Sequence, residues 1–386
     1  VSASVKIATF VGAIFLSLGI YLPFFPIWLE AQRFSPGEIA FLLSVPLSVK
    51  VVVTPFLVAF SGRLPQRRTA AAAYCGVATL AFVAIALNGE FWITAVLLGV
   101  FGAFWHALIP LGDSLALREV RRHGANYGTI RLWGSITFIL ANVAAGYLLG
   151  LIGVADVHFL IVMMLILALA SAFVLPSYGI HKDERPRSGL TFSGGFGAFL
   201  KKRPFMAMAL SAGFLQASHA LLYGFGTIDW VGRGYSMREI GAFWAMGVIA
   251  EVLLFTRARW LFKYVRPHRL VMLGGAAAVL RWSLHAEVDG FWLIVLIQCL
   301  HGLSFGATHL GMQSFLAGSV SEADTPSAQG VMVLLSGIAM ALLTLACGAL
   351  YATYAGRAFY AMAGISLVGL GVLFFLRYPQ SAGEGG

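Results

Sequence analysis

Apolar runs long enough to cross a bilayer recur along nearly the whole chain, separated by short polar breaks. A span needs about 20 predominantly apolar residues. Runs of that order are predicted at about 6–31, 36–61, 69–88, 91–117, 127–152, 157–176, 204–231, 237–256, 268–286, 291–317, 328–352 and 357–377. The pattern predicts twelve transmembrane helices. One long polar stretch, 181–197, rich in Lys, Arg, Ser and Gly, divides them into six and six. The expected architecture is an all-α polytopic membrane protein with twelve transmembrane helices in two pseudo-symmetric six-helix bundles. The bundles are expected over 1–180 and 204–386, joined by a polar linker over 181–203. The first run, about 7–29, is too long for a signal-peptide core and has no small-residue cleavage site before the next helix. A chain that opens on Val1 is expected to lack a few preceding residues.

Composition agrees with a bilayer as the solvent. The chain is 59% hydrophobic and 11% charged, against about 25% charged in an ordinary soluble domain. A net charge of +10 needs no nucleic-acid partner, because most of the cations sit in alternate breaks. Arg63, Arg67 and Arg68 follow the second run, Arg118, Arg121 and Arg122 the fourth, and Lys182 to Arg203 the sixth; Arg257, Arg259, Lys263, Arg266 and Arg269 follow the eighth. The opposite breaks hold only Arg33, Arg233, Arg238 and Arg357. The positive-inside rule then places both termini and the linker in the cytoplasm of a multi-pass inner-membrane protein. Cys75, Cys299 and Cys347 lie inside apolar runs, without disulfide or metal spacing. No cofactor and no metal are expected.

The two halves repeat. Tyr21, Trp28, Ser35, Glu38 and Ile39 recur as Tyr223, Trp230, Ser236, Glu239 and Ile240, with a one-residue gap. Gly128 and Gly146 recur as Gly330 and Gly348. Ser-x-x-Glu at both places is a capping box that starts a helix at the outer surface. Trp28 and Trp230 are expected there as interfacial anchors. A parallel repeat of two six-helix halves is the organisation of the major facilitator architecture, which alternates access to a midplane site. Prolines 23, 26, 46, 55 and 110 are expected to bend or open their helices.

Charges inside the runs carry the candidate chemistry. A lone charge at mid-membrane costs about 3 kcal/mol on insertion scales, and such residues usually face a bundle interior and mark solute or ion pathways. Asp113 and Arg131 flank a short basic turn at matched depth on successive helices, where a carboxylate and a guanidinium offset each other. The repeat places Gln313 and Val333 opposite them, so neither charge has a charged counterpart and a substrate-side role is favoured over a strut. Lys50 and Glu251 fall on equivalent positions of the second and eighth helices. A mid-depth carboxylate such as Glu251 suits reversible proton binding. Arg281 and His301 flank the break between the ninth and tenth helices, and His301, His309 and Gln313 share one face of the tenth. His106 is read as packing. Tyr21 and Tyr223, repeated and deeper than the tryptophans, suit an aromatic pocket.

The motifs YLPFFPIWL, IPLGDSLAL, YGTIRLWGS, YGFGTIDW, AMGVIAEVLLF, LRWSL and QCLHGLSFGATH together resemble the 3-phenylpropionic acid transporter family of the major facilitator superfamily, in order from about 21 to 348. That resemblance implies twelve helices, a cavity lined mainly by the first, fourth, seventh and tenth, and proton-driven uptake. The chain is also similar, more distantly, to lactose permease. There an acid and an arginine eighteen residues apart help bind substrate, as Asp113 and Arg131 are spaced. An arginine and a histidine twenty apart match Arg281 and His301, and an eighth-helix glutamate matches Glu251. The proton-coupling carboxylate three residues after that histidine is here Ser304, which shifts the expected coupling role to Glu251. The loop GRLPQRR keeps the superfamily's basic residues and lacks its aspartate.

These observations predict a secondary active transporter and not an enzyme: a proton-coupled symporter of a small, aromatic-acid-like solute, working as a monomer by alternating access. Asp113, Arg131, Lys50, Tyr21, Tyr223, His309 and Gln313 are the expected substrate residues. Glu251, Arg281 and His301 are the expected proton-coupling residues. Two alternatives remain, a proton-driven exporter on the same fold and a non-transporting membrane sensor. A membrane-bound acyltransferase is disfavoured, because no nucleophile–His–Asp cluster is present.

Overall fold

The computed structural model describes residues 2–64, 66–177, 195–321 and 324–375, and among them every regular element is helical. The first six long helices are α1 (Ala3–Ala31), α2 (Pro36–Arg63), α3 (Arg67–Ala86), α4 (Phe91–His123), α5 (Tyr127–Ile152) and α6 (Val157–Val174). After the short α7 (Gly195–Lys201), the seventh span is α8 (Arg203–Ala217) with α9 (Ala220–Gly232). The eighth is α10 (Met237–Thr256), followed by the short α11 (Ala258–Tyr264), and the ninth is α12 (Pro267–Glu287). The tenth joins α13 (Phe291–Cys299), a π-helical segment (Gly302–Ala307) and α14 (Thr308–Ser319). The last two are α15 (Thr325–Tyr354) and α16 (Phe359–Phe375). Ten stretches of the described residues are long and apolar enough to cross a membrane. One of them, Ser327–Phe375, holds two spans, and α12 falls short because Arg281, His285 and Glu287 lower its hydropathy. All twelve expected spans are therefore helices.

Local signals set most of the helix ends. Ser35 N donates to Glu38 Oε2 at 2.8 Å and Glu38 N to Ser35 Oγ at 3.4 Å; Ser236 and Glu239 repeat both bonds at 2.8 and 3.4 Å. Asn126 Oδ1 caps α5 by accepting from Thr129 N at 3.2 Å. One boundary needs correction. The fourth helix runs six residues beyond the expected 117, through Arg121, Arg122 and His123, whose charge suits a helix C-terminus. It stops at Gly124, whose φ of +64° closes the helix in the left-handed region that glycine enters without strain. Arg118, expected in a loop, is buried with Glu119, which accepts from Ser4 Oγ at 3.2 Å.

Two further expectations are corrected. Helical structure continues through all five of the singled-out prolines, so none of them opens its helix. The interruptions come instead at Ser218–His219 and at the π-helical segment, neither of which contains proline. Trp28 and Trp230 are buried rather than set at an interface, Trp28 stacking on Phe25 and Trp230 edge-on to Phe243.

The chain divides into two compact units, Val1–Leu190 with Tyr223–Ala245, and Thr191–Leu222 with Met246–Gly386. In the first, α1 packs on α5 and α6, and α4 on α2 and α3. Its centre is aromatic: Tyr21, Phe25, Phe82, Phe101 and Trp105 meet at centroid distances of 4.9–6.3 Å. Close backbone approach brings Tyr223–Ala245 into this unit. A Cβ on Gly146 would lie 2.5 Å from Met237 O, and one on Gly241 2.5 Å from Asn142 O, so only glycine permits the crossing of α5 and α10. In the second unit α8 packs on α15 and α16, and α12 on α14 and α16, around Phe205, Met208, Leu215, Val271, Phe315 and Val331. Most of the expected linker, 181–194, lies outside the described residues.

Gly146→Val or Gly241→Val is expected to destabilise the fold by about 1–3 kcal/mol through overpacking. The measurement is the apparent melting temperature of purified protein in detergent. Gly76→Val, at a position with nothing within 4 Å of the added carbon, is the matched control and should cost far less.

Candidate functional site

Two groups of charged side chains sit among the helices, one in each unit. The first is built where α4 and α5 run side by side. Asp113, on α4, accepts at one oxygen from the Tyr127 hydroxyl at 3.1 Å and lies 3.8 Å from Arg131 Nε. Tyr127 and Arg131 are four residues apart on α5, one helical turn, which puts both on the face toward Asp113. The Arg131 guanidinium lies 4.3 Å over the Phe15 ring of α1, a cation–π arrangement that fixes its plane. Gly134 makes the room, since a Cβ there would be 2.9 Å from Arg131 Nη1 and 3.0 Å from Phe15. Both charged side chains keep about a third of their surface exposed, 36% for Arg131 and 32% for Asp113. A partly exposed guanidinium held flat by a ring can clamp a planar carboxylate through two parallel hydrogen bonds.

The second group lies in the second unit. Arg281 of α12 has no exposed surface. A charge so buried needs hydrogen-bonding partners. Its Nη2 donates to Gln298 Oε1 at 2.8 Å, and its Nη1 to His301 Nδ1 at 2.9 Å and to Ser304 Oγ at 3.1 Å. Its guanidinium also lies 4.6 Å over the Trp282 ring. His301 Nε2 then stands 3.4 Å from Glu251 Oε2 on α10. Small residues allow this. A Cβ on Gly302 would lie 2.7 Å from Ala250 O, one on Gly306 3.0 Å from Leu254, and one on Gly247 3.4 Å from the His301 Cβ. A carboxylate beside an imidazole that is itself held by a guanidinium can take up and release a proton.

The expected residues are thus distributed unevenly. Asp113 and Arg131 come together, as do Glu251, Arg281 and His301. Tyr21 is buried in the aromatic centre of the first unit, stacked on Phe25. Tyr223 stacks on Trp244, whose indole N–H donates to Thr227 Oγ1 at 3.0 Å. Lys50 is exposed on α2. His309 and Gln313 are both exposed on α14, and the His309 ring is parallel to Phe305.

Several participants escaped the sequence reading. Tyr127, Phe15 and Gly134 complete the Arg131 group; the four-residue spacing of Tyr127 and Arg131 on a predicted helix was the available signal. Gln298, Ser304 and His219 complete the Arg281 group, and no spacing marks them. A further intramembrane acid, Asp229 near the end of α9, is buried with Arg233 Nε at 2.9 Å from its Oδ2. Among the described residues no group of three or more His, Cys, Asp and Glu side chains is placed to hold a metal ion.

Comparison with known proteins follows this geometry. The MFS_1 like family matches residues 4–362. The "Probable 3-phenylpropionic acid transporter" of Escherichia coli K12 is 28% identical over 357 residues, 92% of each chain. The maltose permease of Geobacillus stearothermophilus is 30% identical over 298 residues, 76% of this chain and 73% of that one. The crystal structure of the nucleoside transporter NupG superposes with a TM-score of 0.84 over 97% of this chain and 99% of that chain, at 18% identity. That likeness concerns the fold alone.

Arg131→Ala and Asp113→Ala are each expected to lower the apparent melting temperature, and the double substitution to recover part of the loss. The coupling should be about 0.2–1 kcal/mol, the range for partly exposed pairs. Strictly additive losses would show that the two charges do not act on each other.

Proposed function

The chain belongs to the MFS_1 like family, is a multi-pass membrane transporter of small solutes and is not an enzyme; from that premise we propose that it couples proton movement to uptake of a small carboxylate-bearing, aromatic-acid-like solute. The observation that carries the solute class is Arg131, stacked on Phe15 beside Asp113 with about a third of its side chain exposed, 36%. In the absence of solute Asp113 and Tyr127 hold the guanidinium region together. A solute carboxylate competes for Arg131, with Lys50 as a second cation, while Tyr127 continues to donate to Asp113. Tyr21 and Tyr223 of the first unit, and His309 and Gln313 of the second, are further proposed solute residues. The name of the 3-phenylpropionic acid relative supports an aromatic acid.

The proton resides on Glu251, with Arg281 and His301 fixing its surroundings. Binding of solute and proton on one side of the inner membrane is followed by release on the other, by alternating access of two six-helix halves, 1–180 and 204–386, joined by 181–203. The termini and the linker are assigned to the cytoplasm on the distribution of basic residues, and the working form is assigned as a monomer.

Purified protein in liposomes, given labelled 3-phenylpropionate and an imposed proton gradient, tests this reading. Arg131→Met is expected to weaken solute affinity by about 10- to 100-fold, the loss of one or two charge-assisted hydrogen bonds. Solute-induced stabilisation of the folded state reads the same affinity without transport. Glu251→Gln is expected to abolish gradient-driven accumulation and to retain exchange of labelled for unlabelled solute. Accumulation that survives Glu251→Gln would remove the proton from that residue. External alkalinisation on solute addition is the expected sign for uptake, and acidification would mean export.

A further inference from the structure

The two interrupted spans of the second unit meet at one serine. The seventh breaks at Ser218 and His219, between α8 and α9; the tenth widens into the π-helical segment that contains Ser304. Non-helical turns inside a membrane persist only where side chains satisfy the freed carbonyls, and π-helical turns gather at functional positions. One bond satisfies a carbonyl across the two interruptions, and the other carbonyls are satisfied within their own spans. Gln216 Nε2 donates to Phe305 O at 3.4 Å, and Thr308 Oγ1 donates to Ser304 O at 2.9 Å. His219 turns Nδ1 back to Leu215 O and Gln216 O at 3.1 and 3.2 Å, and Nε2 forward to Ser304 Oγ at 3.3 Å.

The partners dictate where each hydrogen sits. Carbonyl oxygens only accept, so His219 carries its hydrogen on Nδ1 and presents a lone pair from Nε2. A guanidinium only donates, so Ser304 Oγ accepts from Arg281 Nη1 and its one hydrogen goes to His219 Nε2. The second Nη1 hydrogen goes to His301 Nδ1, which must therefore be a lone pair, and the His301 hydrogen sits on Nε2, facing Glu251. From Arg281 Nη1 the donors thus point outward, along one arm through Ser304 to His219 and along the other through His301 to Glu251.

We infer that Ser304 and His219 are positioning residues for the proton step, holding Arg281 Nη1 where it fixes His301 with Nε2–H toward Glu251. This rests on the reading of Glu251 as the proton-carrying group. With the serine arm removed, Nη1 loses one of its two acceptors and its aim at His301 is no longer fixed by the other. His301 is then able to place its hydrogen on Nδ1 and to offer Glu251 a lone pair instead of a donor. An ionised carboxylate is served by a donor and a protonated one by an acceptor, so the balance between the two forms of Glu251 changes with the serine arm. The titratable and charged groups around this point are Glu251 on α10, Arg281 on α12, His301 ahead of the π-helical segment and His219 between α8 and α9, with His285 reached through Gln298, Cys299 near Arg281, and His309 beyond the Phe305 ring.

The test needs no solute. The carboxyl stretch of protonated Glu251 is followed by infrared difference titration of the full chain in lipid, and assigned by its loss in Glu251→Gln. Ser304→Ala and His219→Leu are each expected to displace the pH midpoint of that band by about half a unit or more. His219→Gln, which keeps one donor and one acceptor, should restore most of the displacement. Should Ser304→Ala fail to fold, Ser304→Cys weakens both bonds at nearly the same volume and carries the test. A merely structural role would lower yield and leave the midpoint where it was. A Glu251 band with the same midpoint in the serine and histidine variants overturns the inference alone. Absence of any band lost in Glu251→Gln, with gradient-driven uptake intact in that variant, overturns the proton reading and the inference with it.

Discussion

A guanidinium with no exposed surface is the constraint around which the second unit is arranged. Arg281 sits fully buried on α12, in a chain whose solvent is hydrocarbon. An uncompensated charge there would cost more than any single packing contact returns. The second unit answers with three neutral acceptors, from Gln298, His301 and Ser304, and one aromatic face, from Trp282. Glu251 supplies an opposite charge beside the imidazole, 3.4 Å from His301 Nε2. Removing the Gln298, His301 or Ser304 acceptor takes a partner from a buried donor.

Glycine is what lets the helices come close enough for this. At Gly274 an added Cβ would collide with the Thr308 side chain, and at Gly302 with the Ala250 carbonyl. The same device serves the Arg131 group, where Gly134 leaves space for a guanidinium stacked on Phe15. The groups differ in solvent access. Arg131 and Asp113 remain a third exposed, with a long 3.8 Å separation, whereas the Arg281 bonds are all at 3.1 Å or less. A loosely held, accessible guanidinium fits exchange of partners, and a tightly held, buried one fits the fixing of geometry.

The amino-acid sequence by itself determined the spans and their caps. Hydrophobic runs, Ser-x-x-Glu boxes and Asn126 act over a few residues, and the same local physics operates in the folded chain. It also paired Asp113 with Arg131, because helix rise converts matched distance from a shared turn into matched depth. Tertiary structure alone decided the rest. Trp28 and Trp230 carry an interfacial composition but are buried, since packing against Phe25 and Phe243 is available to them. Proline is locally a helix breaker, yet the breaks fall at Ser218–His219 and near Ser304, where Gln216 reaches Phe305 O and His219 reaches the Ser304 hydroxyl on a distant helix. Those partners are about 85 residues apart in the chain, and no local pattern or periodicity reports which polar side chains will meet. The bonding of Ser304, His219 and Arg281 is therefore a property of the packed helices, while the charges they arrange are already written in the sequence.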